Sequence, residues 1–249
     1  MTLSPEFRAI GMLVIEVFGV AALTLFIGLL PRIKELKPVQ FKYPQREAKY
    51  AALVAVGALI IAAIIFWPAL SRGATAPNIV EYYKQLMYAG LGAALLAFGL
   101  LLYRQQPFRS IGWNQQLTST AIQFGILVIL LLLFLLGKLS RLSAGIPEEI
   151  TRTLLWLLVA AAALETVFRG YVQPRLESLM GFVPAWLIAV VTFTAVHLIS
   201  RWGTPQSELV PAIGVILVRS LLAGWIYKRC PHLLAPTFYI AAATWVSLF

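Results

Sequence analysis

Glu165 and Arg169 stand four residues apart in Ala161-Ala162-Ala163-Leu164-Glu165-Thr166-Val167-Phe168-Arg169-Gly170, an otherwise apolar stretch. On a helix that spacing places both side chains on one face, where they can pair. A charge inside an apolar span costs about 2.5–3.5 kcal/mol or more unless it is compensated, so such a pair marks a candidate functional site. His197 sits in the next apolar run. If the two runs form a hairpin turning near Met180-Gly181, Glu165 lies 15 residues before the turn and His197 lies 17 after Met180. At about 1.5 Å per residue both are roughly 23–26 Å from the turn and level on facing helices. A carboxylate, an imidazole and a guanidinium at one depth can hold a metal or activate a water. The competing reading is structural: an ion pair that ties helices together, and a neutral histidine bonded to a neighbour.

The elements that must position these residues follow from composition. The chain has 249 residues, 60% hydrophobic and 12% charged, with a mean hydropathy of +0.84. A soluble domain is nearer half apolar and a quarter charged, so this is an integral membrane protein. Eight apolar runs, near 9–31, 50–71, 85–103, 118–139, 150–174, 182–200, 208–228 and 232–249, are each long enough to cross a hydrocarbon core of about 30 Å. Backbone groups in lipid must be satisfied within a segment, so these spans are helices, and the expected fold is an all-α bundle of about eight transmembrane helices. Residues 1–104 would supply three spans and residues 105–249 five. The first run is too long for a signal-peptide core and is read as a retained span.

Net charge is +10, with no aspartate. The basic residues lie mostly in loops, where they set orientation and meet anionic lipid, and no separate basic domain offers a nucleic-acid footprint. Arg32, Lys34, Lys37, Lys42, Arg46 and Lys49 make the most basic loop, which places 32–49 in the cytoplasm and both termini on the opposite side. The opposite loops carry Arg72 and Lys84, then Lys138, Arg141 and Arg152, then Arg201. Trp67, Tyr82, Tyr83, Tyr103, Trp113, Trp202 and Tyr227 fall near span ends, as interfacial aromatic belts do. Cys230 is the single cysteine, so an internal disulfide and any CxxC site are excluded.

Leu164-Glu165-Thr166-Val167-Phe168-Arg169-Gly170-Tyr171, with Gln173 and Arg175-Leu176, resembles the first motif of the CPBP family. These are the CAAX prenyl protease and bacteriocin-processing (Abi) intramembrane metalloproteases. That motif reads Glu-Glu-x-x-x-Arg, often with Phe-Arg-Gly. Phe193-Thr194-Ala195-Val196-His197 is similar to the second motif, Phe-x-x-x-His. Ala223 to Arg229 and then Leu233-Leu234-Ala235-Pro236 resemble the run leading into the third. The resemblance covers about residues 105–249.

Three positions depart from the pattern. Leu164 stands where the family has its first glutamate, the one expected to activate water. Ile240 stands where a second histidine belongs, and Thr244 where an asparagine belongs. Glu165, Arg169 and His197 match. Leucine and isoleucine neither bind metal nor move protons, and groups that act as a unit leave little activity when some are lost. Any metal would fall to Glu165 and His197, and none is expected unless the chain retains the zinc chemistry that the resemblance implies. Two substitutes can be considered. Glu148-Glu149 with Arg152 has the wrong spacing and suits a helix N-terminus. His232 lies eight residues before Ile240, near the membrane surface.

Glu16 in the first run and Arg219 in the seventh belong to no motif. They can pair with each other, with Glu165, or with a partner protein, since polar groups between spans act as assembly glue. The sequence thus implies a CPBP-type membrane protein that has lost proteolysis and binds a membrane protein partner, a lipid or another ligand. The alternative is an active intramembrane metalloendopeptidase with an altered centre. A transporter would need paired broken helices and an inverted repeat, which are not evident.

Overall fold

The computed structural model describes residues 5–34, 39–71, 79–202 and 204–248. Nine principal helices follow in order: α1 (Pro5–Gly28), α2 (Pro44–Ser71), α3 (Ile79–Tyr103), α4 (Thr118–Leu135), α5 (Glu148–Glu165), α6 (Gln173–Met180), α7 (Phe182–Ser200), α8 (Gln206–Arg229) and α9 (Leu234–Val246). A π-helical segment, Thr166–Val172, joins α5 to α6 without a break. The described residues contain no strand. The chain is an all-α, multi-pass integral membrane protein in contact with the lipid bilayer.

Among the described residues, seven segments are long and apolar enough to cross a membrane: 9–28, 44–68, 79–103, 115–135, 148–180, 182–200 and 206–229. The eighth expected span, near 232–249, is shorter than its composition suggests. Its helix has 13 residues, about 20 Å of rise. Pro231 and His232 are taken up by a loop, in which the Leu233 amide donates to the Gly112 carbonyl at 3.1 Å. At the far end, Trp245 Nε1–H donates to the Ile150 carbonyl, so α9 reaches back to where α5 begins.

Helix starts carry the expected signals. Pro44 opens α2 with Glu47 in its first turn, and Glu148 and Glu149 open α5 after Pro147. Arg152 pairs with Glu148 on the exposed face of that turn, which disposes of the acid pair as a catalytic substitute. The hairpin between α6 and α7 turns at Gly181, whose φ of +82° favours glycine. Lys37 and Arg72 lie outside the described residues.

The core is built from small side chains. Ala51, Ala55, Ala58 and Ala62 of α2 are buried, as are Ala89, Gly90, Ala93, Ala94 and Ala97 of α3. Small residues let helix backbones approach where lipid supplies no hydrophobic drive for association. The larger apolar side chains Phe18, Leu95 and Leu102 face outward. Trp67, Tyr103 and Trp202 are exposed at helix ends as an aromatic belt requires, but Tyr82 and Tyr83 are buried. These two tyrosines serve the interior, because α3 starts six residues earlier than the apolar run near 85 and carries them inward.

One end of the bundle is clamped by a polar network. Glu47 meets Arg104 at 2.6 Å and Arg175 at 3.2 Å, and it accepts from Gln106 Nε2 at 3.0 Å. Arg175 also donates to Gln106 Oε1 and to the Tyr171 carbonyl, and its guanidinium lies 3.7 Å from the Tyr171 ring centre. Three segments distant in sequence are thereby locked around the start of α6.

Candidate functional site

The motif-bearing segment departs from regular α-helix where the motif sits. Pro174 has no N–H to give to Gly170, and its ring clashes with the carbonyl four residues back. The helix responds by widening: the Gln173 amide donates to the Phe168 carbonyl, five residues earlier. Gly170 is required at this widened turn. A Cβ there would lie 2.3 Å from the Ile111 carbonyl oxygen of the 108–111 turn, which packs directly on the backbone.

Glu165 and Arg169 are both fully buried. Arg169 Nε lies 3.6 Å from Glu165 Oε2, so the pair is an ion contact rather than a tight bidentate bond. The guanidinium spends its strongest bonds on α8, where Nη2 donates to the Ser220 carbonyl at 2.8 Å and to Ser220 Oγ at 2.6 Å. Its flat face lies 4.8 Å from the centre of the Phe193 ring. Among the described residues neither carboxylate oxygen of Glu165 has a hydrogen-bond donor.

His197 is separated from this pair. Phe193 sits between them, 4.9 Å from the His197 ring centre on one side and against Phe168 and Arg169 on the other. The imidazole instead meets Tyr82 Oη through Nδ1 at 3.4 Å. Ser200 donates to the His197 carbonyl at 2.8 Å, which leaves Ser200 Oγ to accept from Tyr82 at 3.1 Å. Tyr82 Oη then accepts from His197 Nδ1–H, and Nε2 keeps the lone pair. The expectation that Glu165, Arg169 and His197 form one cluster is therefore met only for the first two. Equal height on a hairpin does not ensure an equal facing direction. Glu165 is one residue past Leu164, about 100° further round the helix.

The side that Glu165 leaves is taken by Leu164. A cavity of about 360 Å³ is lined by Leu164, His197, Ile240 and Thr244, together with residues of α1, α3, α5, α7, α8 and α9. All four motif positions outside the Glu165–Arg169 pair thus meet at one cavity. Three of them carry the departures from the motif pattern. Glu16 and Arg219 also line it, and they form a bidentate ion pair. Arg219 donates to both carboxylate oxygens of Glu16 at 2.9 and 2.8 Å, and Tyr239 of α9 donates to Oε1 at 2.9 Å. Neither residue contacts Glu165.

Zinc chemistry needs about three protein ligands with an open fourth position. Among the described residues, no three His, Cys, Asp or Glu side chains come together. On the cavity wall the imidazole of His197 faces Leu164 and Ile240 positions that offer no donor, and Glu16 is already engaged by Arg219 and Tyr239. The residues present do not fit a zinc site.

His232 does not replace the missing histidine. It holds the loop before α9, accepting from the Leu234 amide at Nδ1 (3.1 Å) and meeting Thr118 Oγ1 through Nε2 (3.3 Å). Tyr82, Tyr239 and Ser220, which support the site, were not distinguishable in sequence from belt aromatics and ordinary core residues. The Tyr82-Tyr83 pair at the head of an apolar run was the one available signal.

Residues 142–246 match a family model described as Rce1-like, type II CAAX prenyl endopeptidase Rce1-like. Searches of curated proteins and of solved structures returned no significant match.

Proposed function

We propose that this chain, which matches the Rce1-like, type II CAAX prenyl endopeptidase family over residues 142–246, keeps the family's membrane bundle while binding rather than cutting. One observation carries this reading. The side chain at the water-activating position, Leu164, lines the cavity, while the neighbouring carboxylate of Glu165 is buried against Arg169. A hydrolase needs a base for its water and a donor for the developing oxyanion. Leu164 and Ile240 supply neither, and Thr244 offers a single hydroxyl.

The chain would act as a binding, assembly or structural subunit with another membrane protein, using the retained polar residues for packing. Nucleic acid has no place in this reading. The basic 32–49 loop would face the cytoplasm and the termini the opposite side, and residues 1–104 would form an N-terminal unit beside the motif-bearing 105–249. The protease alternative draws on His197, whose Nε2 lone pair is a base beside the cavity.

The test uses the full chain reconstituted in liposomes with a prenylated CAAX peptide. The expected result is no cleavage above protein-free vesicles. Cleavage that disappears in His197→Ala would establish the protease instead. In parallel, gentle extraction and mass spectrometry of co-purifying proteins should find a stoichiometric membrane partner.

A further inference from the structure

We infer that the cavity is a binding site for a single acyl chain carrying an anionic headgroup. This rests on the reading of the chain as a binding protein, and it adds the chemical class of the ligand. The body of the cavity is hydrocarbon in character, walled by Leu86, Leu157, Leu164, Val215, Ile216 and Ile240. Its volume, about 360 Å³, lies at the lower end of the ~300–1,000 Å³ range of small-molecule sites. A helix with its side chains is about 10–12 Å across, so a space of this size suits one flexible chain better than a folded peptide.

The charges are unevenly placed. Glu16 and Arg219 neutralise one another within the wall. Among the described residues, the other charged side chains lining the cavity are Lys138 and Arg201; Lys138 is already engaged, which leaves Arg201. Both belong to one end of the bundle. Lys138 precedes the start of α5, and Arg201 follows the end of α7, which returns antiparallel to the α5–α6 run. Arg201 stacks at 5.0 Å on the ring of Tyr82, and its Nε is buried with no hydrogen-bond partner among the described residues. A buried guanidinium N–H without an acceptor is costly and favours an anion. The His197–Tyr82–Ser200 chain lies beside it, adding neutral polar groups. The cavity therefore joins a cation at one end to neutral polar groups and a hydrocarbon wall, the groups that an anionic lipid needs.

The experiment is native mass spectrometry of the full chain in nonionic detergent, titrated separately with oleate, 1-monoolein and inorganic phosphate. One oleate should bind per chain, with monoolein about tenfold weaker or worse and phosphate alone undetected. Arg201→Gln should weaken oleate by about tenfold, and Leu164→Trp, which fills the hydrocarbon end, should abolish it. Melting curves of both variants in the same detergent verify folding, and Arg201→Met provides a second charge variant if Arg201→Gln does not fold. Monoolein binding as tightly as oleate, phosphate binding by itself, or oleate retained in Leu164→Trp would each overturn the inference. The peptide-cleavage assay separates the two readings. Cleavage removes the binding-protein reading whatever oleate does, whereas absence of both cleavage and oleate binding removes this inference alone.

Discussion

Leu164 and Glu165 are adjacent in the chain, yet Leu164 lines the cavity while Glu165 is fully buried beside Arg169, outside that lining. The acid that identifies the motif is thus turned to a guanidinium that is anchored on α8 through Ser220. Removing Arg169 strands a buried carboxylate that has no hydrogen-bond donor among the described residues. Removing His197 costs one long bond to Tyr82. Arg169→Leu should destabilise the protein by about 3–5 kcal/mol, and His197→Ala by about 0.5–1.5 kcal/mol. Thermal denaturation in detergent compares them, and equal melting temperatures would refute the ranking.

The Glu16–Arg219 pair makes a different forecast, because its geometry is bidentate and Tyr239 completes it. Either single substitution, Glu16→Leu or Arg219→Leu, leaves a charge uncompensated in a span. The double substitution leaves none, and well-packed apolar replacements of buried ion pairs are often neutral. Each single variant should therefore lose about 3–5 kcal/mol, and the double variant less than either. A double-mutant cycle on melting temperature measures this. Strictly additive losses would show that the two residues act independently.

What was legible in the sequence was mainly local. Apolar runs located seven spans, Gly181 marked the hairpin, and the motif pattern picked out Leu164, His197, Ile240 and Thr244, which the fold then brings to one cavity. What was not legible depended on direction or distance. Hairpin arithmetic placed Glu165 level with His197 but carried no information about which way each side chain points. Glu16 and Arg219 are 203 residues apart, and no local pattern singles out that pairing from the others considered. The last helix matched a span in composition, but Pro231 and His232 start it late. Tyr82 and Tyr83 resembled belt residues because a sequence shows proximity to a span end and not which face of the helix is inward.

Gly170 should be the least replaceable glycine of the motif. Its missing Cβ is what lets the Ile111 carbonyl pack on the π-helical turn, at 2.3 Å from where that atom would be. The nearest obstacle is backbone, which cannot rotate aside as a side chain end can. Gly170→Ala should cost about 1–3 kcal/mol or more through overpacking. Gly11→Ala, where nothing lies within 4 Å of the added carbon, is the control and should leave stability unchanged. A Gly170→Ala protein that melts with the wild type would mean the turn adjusts freely.

His232 gives the chain an acid-sensitive joint. Its Nδ1 accepts from the Leu234 amide, so the neutral ring carries its proton on Nε2, facing Thr118 Oγ1. Burial among Thr118, Trp113 and the loop opposes a charge on the ring. That burial holds the folded pKa down to about 4, against 6.5 in an exposed chain. The unfolded state then binds a proton in a window where the folded state does not. Stability is complete above about pH 6.5 and falls as pH drops toward about 4. Cys230 next to this loop is pushed up to about 12 and stays neutral throughout, so it adds nothing to the slope. The informative quantity is the difference between proteins. Melting temperatures of wild type and His232→Gln, measured in detergent at pH 7 and pH 5, should fall with acid more steeply for the wild type. Parallel profiles would assign the acid sensitivity to other groups.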